Sequence, residues 1–118
     1  MHLKRLALIL GAAALASCSS NPYGTGGNTG GRSTTITVSN NRFSPTPDTV
    51  SAGQVTFSWS NASNGHDVSW DSGPDTQTNP GAKTSGIYQP TLVAGTYNYH
   101  CSFHGAPGSG MHGTIVVQ

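Results

Sequence analysis

A chain of 118 residues with a formal net charge of +1 holds at most one modest domain once any targeting segment is set aside. Its five Lys and Arg and four Asp and Glu are scattered along the chain. That excludes the basic surface that nucleic-acid binding needs and any strong electrostatic steering of partners.

The N-terminus carries an export signal. Residues 1–17 read MHLKRLALILGAAALAS, with Lys4 and Arg5 before an apolar run from Leu6 to Ala16 and small residues before Cys18. The apolar run is shorter than the ~20 residues that cross a bilayer. Leu15-Ala16-Ser17-Cys18 resembles the lipobox of bacterial lipoproteins, which implies that residues 1–17 are removed and Cys18 is lipidated. Cys18 and Cys101 are the only cysteines. A lipidated Cys18 leaves Cys101 a lone thiol in an oxidising compartment, where it needs a partner or deep burial.

Residues 18–33 form the lipidated N-terminus and a linker rich in Gly, Asn, Ser and Thr, with Tyr23 its one large apolar residue. Such a stretch cannot offset the entropy of ordering, and as a coil it spans roughly 20 Å. Without Lys4 and Arg5, the cations Arg32, Arg42 and Lys83 stand against Asp48, Asp67, Asp71 and Asp75, a net charge of about −1.

Residues 34–118 are a single domain of short alternating runs punctuated by Gly, Pro, Asn and Asp. The pattern predicts strands at 34–39, 54–60, 66–71, 84–89, 95–101 and 112–118, with weaker pairing near Phe43 and at 48–51. Residues 72–83 are almost devoid of apolar side chains and predict a surface loop. The fold class is all-β, a two-sheet antiparallel Greek-key sandwich. Alternation places Ile36, Val38, Val55, Phe57, Trp59, Tyr97, Tyr99, Ile115 and Val117 in its core.

The chemistry gathers in YHCSFHGAPGSGM, residues 99–111. Cys101 and His104, with Met111 ahead of the last strand and His66 opening an earlier one, make a soft mixed donor set that suits copper in both oxidation states. The same residues admit a closed zinc site or a thiol nucleophile with His104 or His66 as base. Structural zinc sites favour more cysteines, and no oxyanion arrangement or substrate cleft accompanies the thiol. His100 and His112 neighbour these residues on their strands, so their side chains point to the opposite face.

The run Tyr97-x-Tyr99-x-Cys101-x-x-His104, then Gly110-Met111-x-Gly113-x-Ile115-x-Val117, together with Gly65-His66-Asp67-Val68, resembles the cupredoxins. It is most similar to the small plastocyanin-like and pseudoazurin-like type 1 blue copper proteins. The similarity spans roughly residues 34–118 and extends to Phe43-Ser44-Pro45, Ala52-Gly53-Gln54-Val55 and Leu92-Val93-Ala94-Gly95-Thr96-Tyr97.

The resemblance implies one copper ion cycling between Cu(I) and Cu(II), with His66, Cys101 and His104 as the trigonal plane and Met111 as the weak axial ligand. Two features depart from the pattern. The spacer GAPGSG between His104 and Met111 is longer than in plastocyanin-like chains, and Asp67 stands where the family often has Asn. The Asp67 carboxylate is expected to accept a hydrogen bond from Ser102.

The implied function is a monomeric, membrane-tethered electron carrier rather than an enzyme. It faces the periplasm or cell exterior, and redox proteins dock at Gly105, Ala106, Pro107 and Gly108 beside the His104 edge. A copper-delivery protein with the same ligands is the alternative. A binuclear copper site is excluded, because it needs a second cysteine in this loop.

Overall fold

The computed structural model describes residues 32–118. The stretches expected to be an export signal, a lipidation site at Cys18 and a linker lie, as far as Gly31, outside the described residues. The strands are β1 (Thr35–Ser39), β2 (Arg42–Ser44), β3 (Asp48–Val50), β4 (Gly53–Gln54), β5 (Thr56–Trp59), β6 (Ser69–Ser72), β7 (Gly86–Tyr88), β8 (Thr91–Leu92), β9 (Gly95–Ala106) and β10 (Ser109–Val117). The described residues contain no helix.

Period-two alternation builds the core. In β1 it buries Ile36 and Val38, in β5 Phe57 and Trp59, in β9 Tyr97, Tyr99 and Cys101, and in β10 Met111, Ile115 and Val117. Every residue assigned to the core by alternation is buried, Val55 included. The stripes belong to two four-stranded sheets, ordered β2-β1-β5-β7 and β3-β10-β9-β6, with β4 and β8 forming a third short pair.

The sandwich is the one expected, and its pairing is mixed. β1 runs parallel to β5 and β3 parallel to β10, while the other pairs are antiparallel. Alternation says which face of a strand is buried, not which neighbour it takes. Parallel neighbours need a long crossover, and the chain between β1 and β5 supplies one by passing through β3 in the opposite sheet.

The strand expected at 66–71 is confined to Ser69–Ser72, and His66 makes only an isolated bridge to Lys83. His66, Asp67 and Val68 are buried in succession, which the alternation of a strand does not allow. β9 and β10 run longer than expected, because both continue past the donor residues into a hairpin.

An aromatic cluster fills the space between the sheets next to Cys101. Tyr99 meets Phe43 edge-on at 4.8 Å and Phe57 at 5.2 Å, and Phe57 meets Trp70 at 5.8 Å. Such pairs add about 0.5–1.5 kcal/mol each to the burial of their surface. Gly113 lies opposite Tyr99 in the ladder, and a Cβ there would strike the phenol ring. Glycine at that position lets Tyr99 lie across β10 and sets the floor two residues before Cys101.

Candidate metal centre

Three separate anchors hold the donor residues. The main chain of His66 exchanges two 3.0 Å hydrogen bonds with Lys83, and its carbonyl accepts a third, of 2.9 Å, from the Trp59 indole N–H. Cys101 is a core residue of β9 with no exposed surface. His104 lies three residues further on, half-buried near the end of the same strand.

The ladder between β9 and β10 explains how these residues leave the sheet. His100 pairs with His112 and Gly105 pairs with Gly110, so residues 101–104 on β9 stand opposite Met111 alone. A mismatch of this kind is a large β-bulge, which breaks the ladder and re-aims side chains. It turns Cys101 and His104 towards His66, which a regular strand would not do.

The long spacer is resolved by the same ladder. Ala106 pairs with Ser109 and Gly105 with Gly110, so GAPGSG folds back as a hairpin closed by Pro107-Gly108. Proline presets the negative φ of the first turn position, and Gly108, at φ 69°, supplies the positive φ of the second. The extra residues therefore project outward as the hairpin and return Met111 to the base of the bulge. Met111 is 2% exposed, and its main chain lies so close to Gly105 that a Cβ there would collide with it.

The donor atoms converge. His66 Nδ1 and His104 Nδ1 are 3.1 Å apart, and Cys101 Sγ lies 3.8 Å from the first and 3.6 Å from the second. A point equidistant from all three is about 2 Å from each, the length of a metal–imidazole bond and slightly under that of a metal–thiolate bond. Two imidazoles and a thiol are ligands for a soft or borderline metal, and the three residues form the one such His/Cys/Asp/Glu cluster among the described residues. The arrangement is like a type 1 copper site, and the donor set and spacing fit such an ion.

Neighbouring groups fix the orientation of this set. His66 Nε2 faces the side-chain oxygen of Asn40 at 3.5 Å, which favours the proton on Nε2 and leaves the Nδ1 lone pair for the centre. Asp67 accepts hydrogen bonds from the Ser102 main-chain N–H at 2.7 Å, the Ser102 hydroxyl at 2.6 Å and the Asn79 amide at 2.8 Å. Burial pushes the Asp67 carboxyl up, but the hydrogen bonds from Asn79 and Ser102 outweigh it and hold the group below the usual carboxylate range. The ionised carboxylate thus ties the His66 segment to the bulge that carries Cys101.

Gly105 is half-buried, and Ala106, Pro107 and Gly108 form the exposed hairpin beyond His104. His100 and His112 point away from the centre: His100 pairs with Asp71, and His112 with the Gly110 carbonyl.

Sequence reasoning missed Asn40, Asn79, Trp59 as a support and Phe103, which is 64% exposed beside the His104 ring. The loop at 72–83 contributes Asn79 to the site and is anchored by Tyr97 and Tyr88, whose hydroxyls donate to Asp75 and to the Thr78 carbonyl. A signal for Asn40 exists in the paired asparagines 40 and 41 between Ser39 and Arg42, where Asn41 takes φ 61° in a tight turn.

Comparison with known proteins places these features in a family. A sequence profile described as "Cupredoxin-like domain" matches residues 6–117. A variant of amicyanin in its reduced Cu(I) form is 28% identical with a TM-score of 0.54, over 71% of this chain and 80% of that one. The copper-containing nitrite reductase of Thermus scotoductus SA-01 is 25% identical with a TM-score of 0.55, over 71% of this chain but only 22% of the reductase. A fern plastocyanin variant, 20% identical with a TM-score of 0.52 over 71% of this chain and 99% of its own, shares the fold. No curated protein sequence matches the chain.

The centre has a pH signature in the metal-free protein. Burial first, and then the facing His104, hold the His66 imidazole below its ordinary value, against a smaller opposing pull from Asp67. A histidine with a lowered folded pKa takes up its proton more readily when unfolded, so stability is lost as pH falls through the unfolded value of about 6.5. Urea unfolding of the metal-free protein should give a lower midpoint at pH 5.5 than at pH 7.5, and His66→Asn should shrink that difference. An equal difference in the variant would show that His66 is not the responsible group.

Proposed function

Because the chain belongs to the family of cupredoxin-like domains, we propose that His66, Cys101 and His104 would hold one copper ion, with Met111 as a further ligand, in a single-electron carrier. The observation that carries this reading is the convergence of two imidazole nitrogens and one buried sulfur within 3.8 Å of one another, on supports that do not involve an ion. A copper ion bound there supplies a one-electron couple between Cu(I) and Cu(II).

The chain's own residues govern what such a couple costs to run. Lys83 and Trp59 fix the His66 main chain, the bulge fixes Cys101 and His104, and Asp67 clamps one segment to the other. Ligands held by a rigid scaffold do not relax far towards the preferred geometry of either oxidation state, so little reorganisation accompanies each transfer. The aromatic floor of Phe43, Phe57 and Tyr99 keeps water from the sulfur side.

Electrons enter and leave where the centre is nearest solvent. Of the three donors only His104 has exposed surface, and it is flanked by Phe103 and by Ala106, Pro107 and Gly108. That patch is small, uncharged and partly apolar, suited to brief encounters with redox proteins. The lipobox-like sequence ending at Cys18 and the Gly-rich linker after it support a carrier tethered to a bacterial membrane facing the periplasm or cell exterior, with a reach of roughly 20 Å.

Titration of Cu(II) into the purified protein, followed by visible absorption and electron paramagnetic resonance, tests the metal assignment. One equivalent should give an intense thiolate-to-copper band and a narrow hyperfine splitting, and Cys101→Ser should abolish both while leaving the circular dichroism unchanged. A colourless product, or a blue band that survives in the Cys101 variant, would overturn it. Rapid stripping by a chelator without fast electron exchange would favour copper delivery instead.

The tether is tested in the producing cells. Cys18→Ala should move the protein from the membrane fraction to the soluble fraction and stop incorporation of labelled fatty acid, whereas unchanged membrane association would refute the anchor.

A further inference from the structure

The segment that delivers His66 is pinned at both ends. The Ala62 N–H donates to the Thr84 carbonyl at 3.0 Å, and His66 exchanges its main-chain hydrogen bonds with Lys83. Only Ser63, Asn64 and Gly65 lie between the two pins. The Ser63 N–H donates at 3.0 Å to the Asn40 side-chain oxygen, the same oxygen that faces His66 Nε2. This short loop therefore reaches the histidine twice, along the main chain and through Asn40.

Asn64-Gly65 is the one Asn-Gly pair in the chain. Asn64 is exposed, and neither its side-chain amide nor the Gly65 N–H has a hydrogen-bond partner among the described residues. Glycine carries no Cβ to keep its nitrogen away from the preceding side chain. The other described asparagines lack this combination. The N–H after Asn61 is taken by the Thr84 carbonyl, and Asn98 lies inside β9. Asn79 precedes Pro80, which has no N–H, and Asn40 and Asn41 precede the bulkier Asn41 and Arg42.

We propose that Asn64 is a modification site at which the folded protein deamidates spontaneously, with water as the only co-reactant, and so alters the loop that carries His66. The Gly65 nitrogen attacks Asn64 Cγ. The new N–Cγ bond replaces the Cγ–Nδ2 bond, and ammonia leaves with the proton that Gly65 gives up. Water then opens the succinimide ring. Cleavage at Cγ gives aspartate, and cleavage at the main-chain carbonyl gives isoaspartate.

Either product places a carboxylate in the loop, and isoaspartate also adds one atom to its main chain. With Ala62 and His66 buried and pinned, the added length falls on Ser63, whose N–H leaves Asn40. The His66 ring then loses the support behind its Nε2. The chemistry at Asn64 needs no metal, and only its effect on copper rests on the function proposed above.

The test incubates the purified, folded protein in mildly alkaline buffer and follows it by peptide mass spectrometry and by labelling with an isoaspartyl methyltransferase. The peptide containing Asn64 should gain about 1 Da and become a methyl acceptor, while those containing Asn40 and Asn79 stay unchanged. Asn64→Gln, which keeps an amide but has to close a larger ring, and Gly65→Ala should each slow the gain roughly tenfold or more. No gain at Asn64 in the folded protein, or an equal rate in Gly65→Ala, would overturn the proposal.

Its consequence is read with and without copper. Ageing should lower the urea midpoint of the metal-free protein and weaken the blue band formed with Cu(II), and neither change should appear in Asn64→Gln aged alongside. An unchanged midpoint in fully deamidated protein would refute the coupling to His66. Fresh protein that gives no blue band counts against the copper site alone, since the mass gain and the midpoint are scored without the metal.

Discussion

Holding two imidazole nitrogens 3.1 Å apart with a thiol sulfur against both runs against the preferences of all three groups. Each loses water on burial, and two protonated imidazoles at that distance repel. The arrangement persists because main-chain hydrogen bonds fix His66, core packing fixes Cys101, and the bulge leaves His104 no regular place in the ladder. The sandwich exists, in functional terms, to impose that triangle. Burial of Ile36, Val38, Phe57, Tyr99 and Ile115 stabilises it by ~1.5–3 kcal/mol per side chain, which offsets the cost of the polar centre.

The bulge and the hairpin divide the work. Four residues on β9 face one on β10, which takes Cys101 and His104 out of register, and the Pro107-Gly108 turn then restores register so that Met111 comes back beneath them. Asp67 links this excursion to the His66 segment through Ser102, and Asn79 holds the carboxylate from the loop side. A longer spacer between His104 and Met111 is thus compatible with a compact centre. Its added length is spent on an outward hairpin that also shapes the surface around His104.

Much of this was legible in the sequence, for a physical reason. Alternation with period two identifies buried residues wherever a strand is regular, so Ile36, Val38, Phe57, Tyr97, Tyr99, Ile115 and Val117 were all readable. The donor residues were readable because a His, a Cys, a second His and a Met in that order, with their flanking strands, resemble the cupredoxin pattern. The parallel pairings of β1 with β5 and β3 with β10 were not, since they depend on which sheet the intervening chain joins. Nor were Asn40 and Asn79, because a polar residue in a turn looks the same whether it faces water or a histidine ring.

The account rests on the buried sulfur that β9 turns inward. Its central claim is that the protein, not the ion, sets the geometry. Crystal structures of the copper-loaded protein, oxidised and then reduced in the same crystals, test this most directly. The account predicts that His66 Nδ1, Cys101 Sγ and His104 Nδ1 keep their mutual distances to within about 0.2 Å in both states. A His104 ring that swings away from Cys101 on reduction would contradict it.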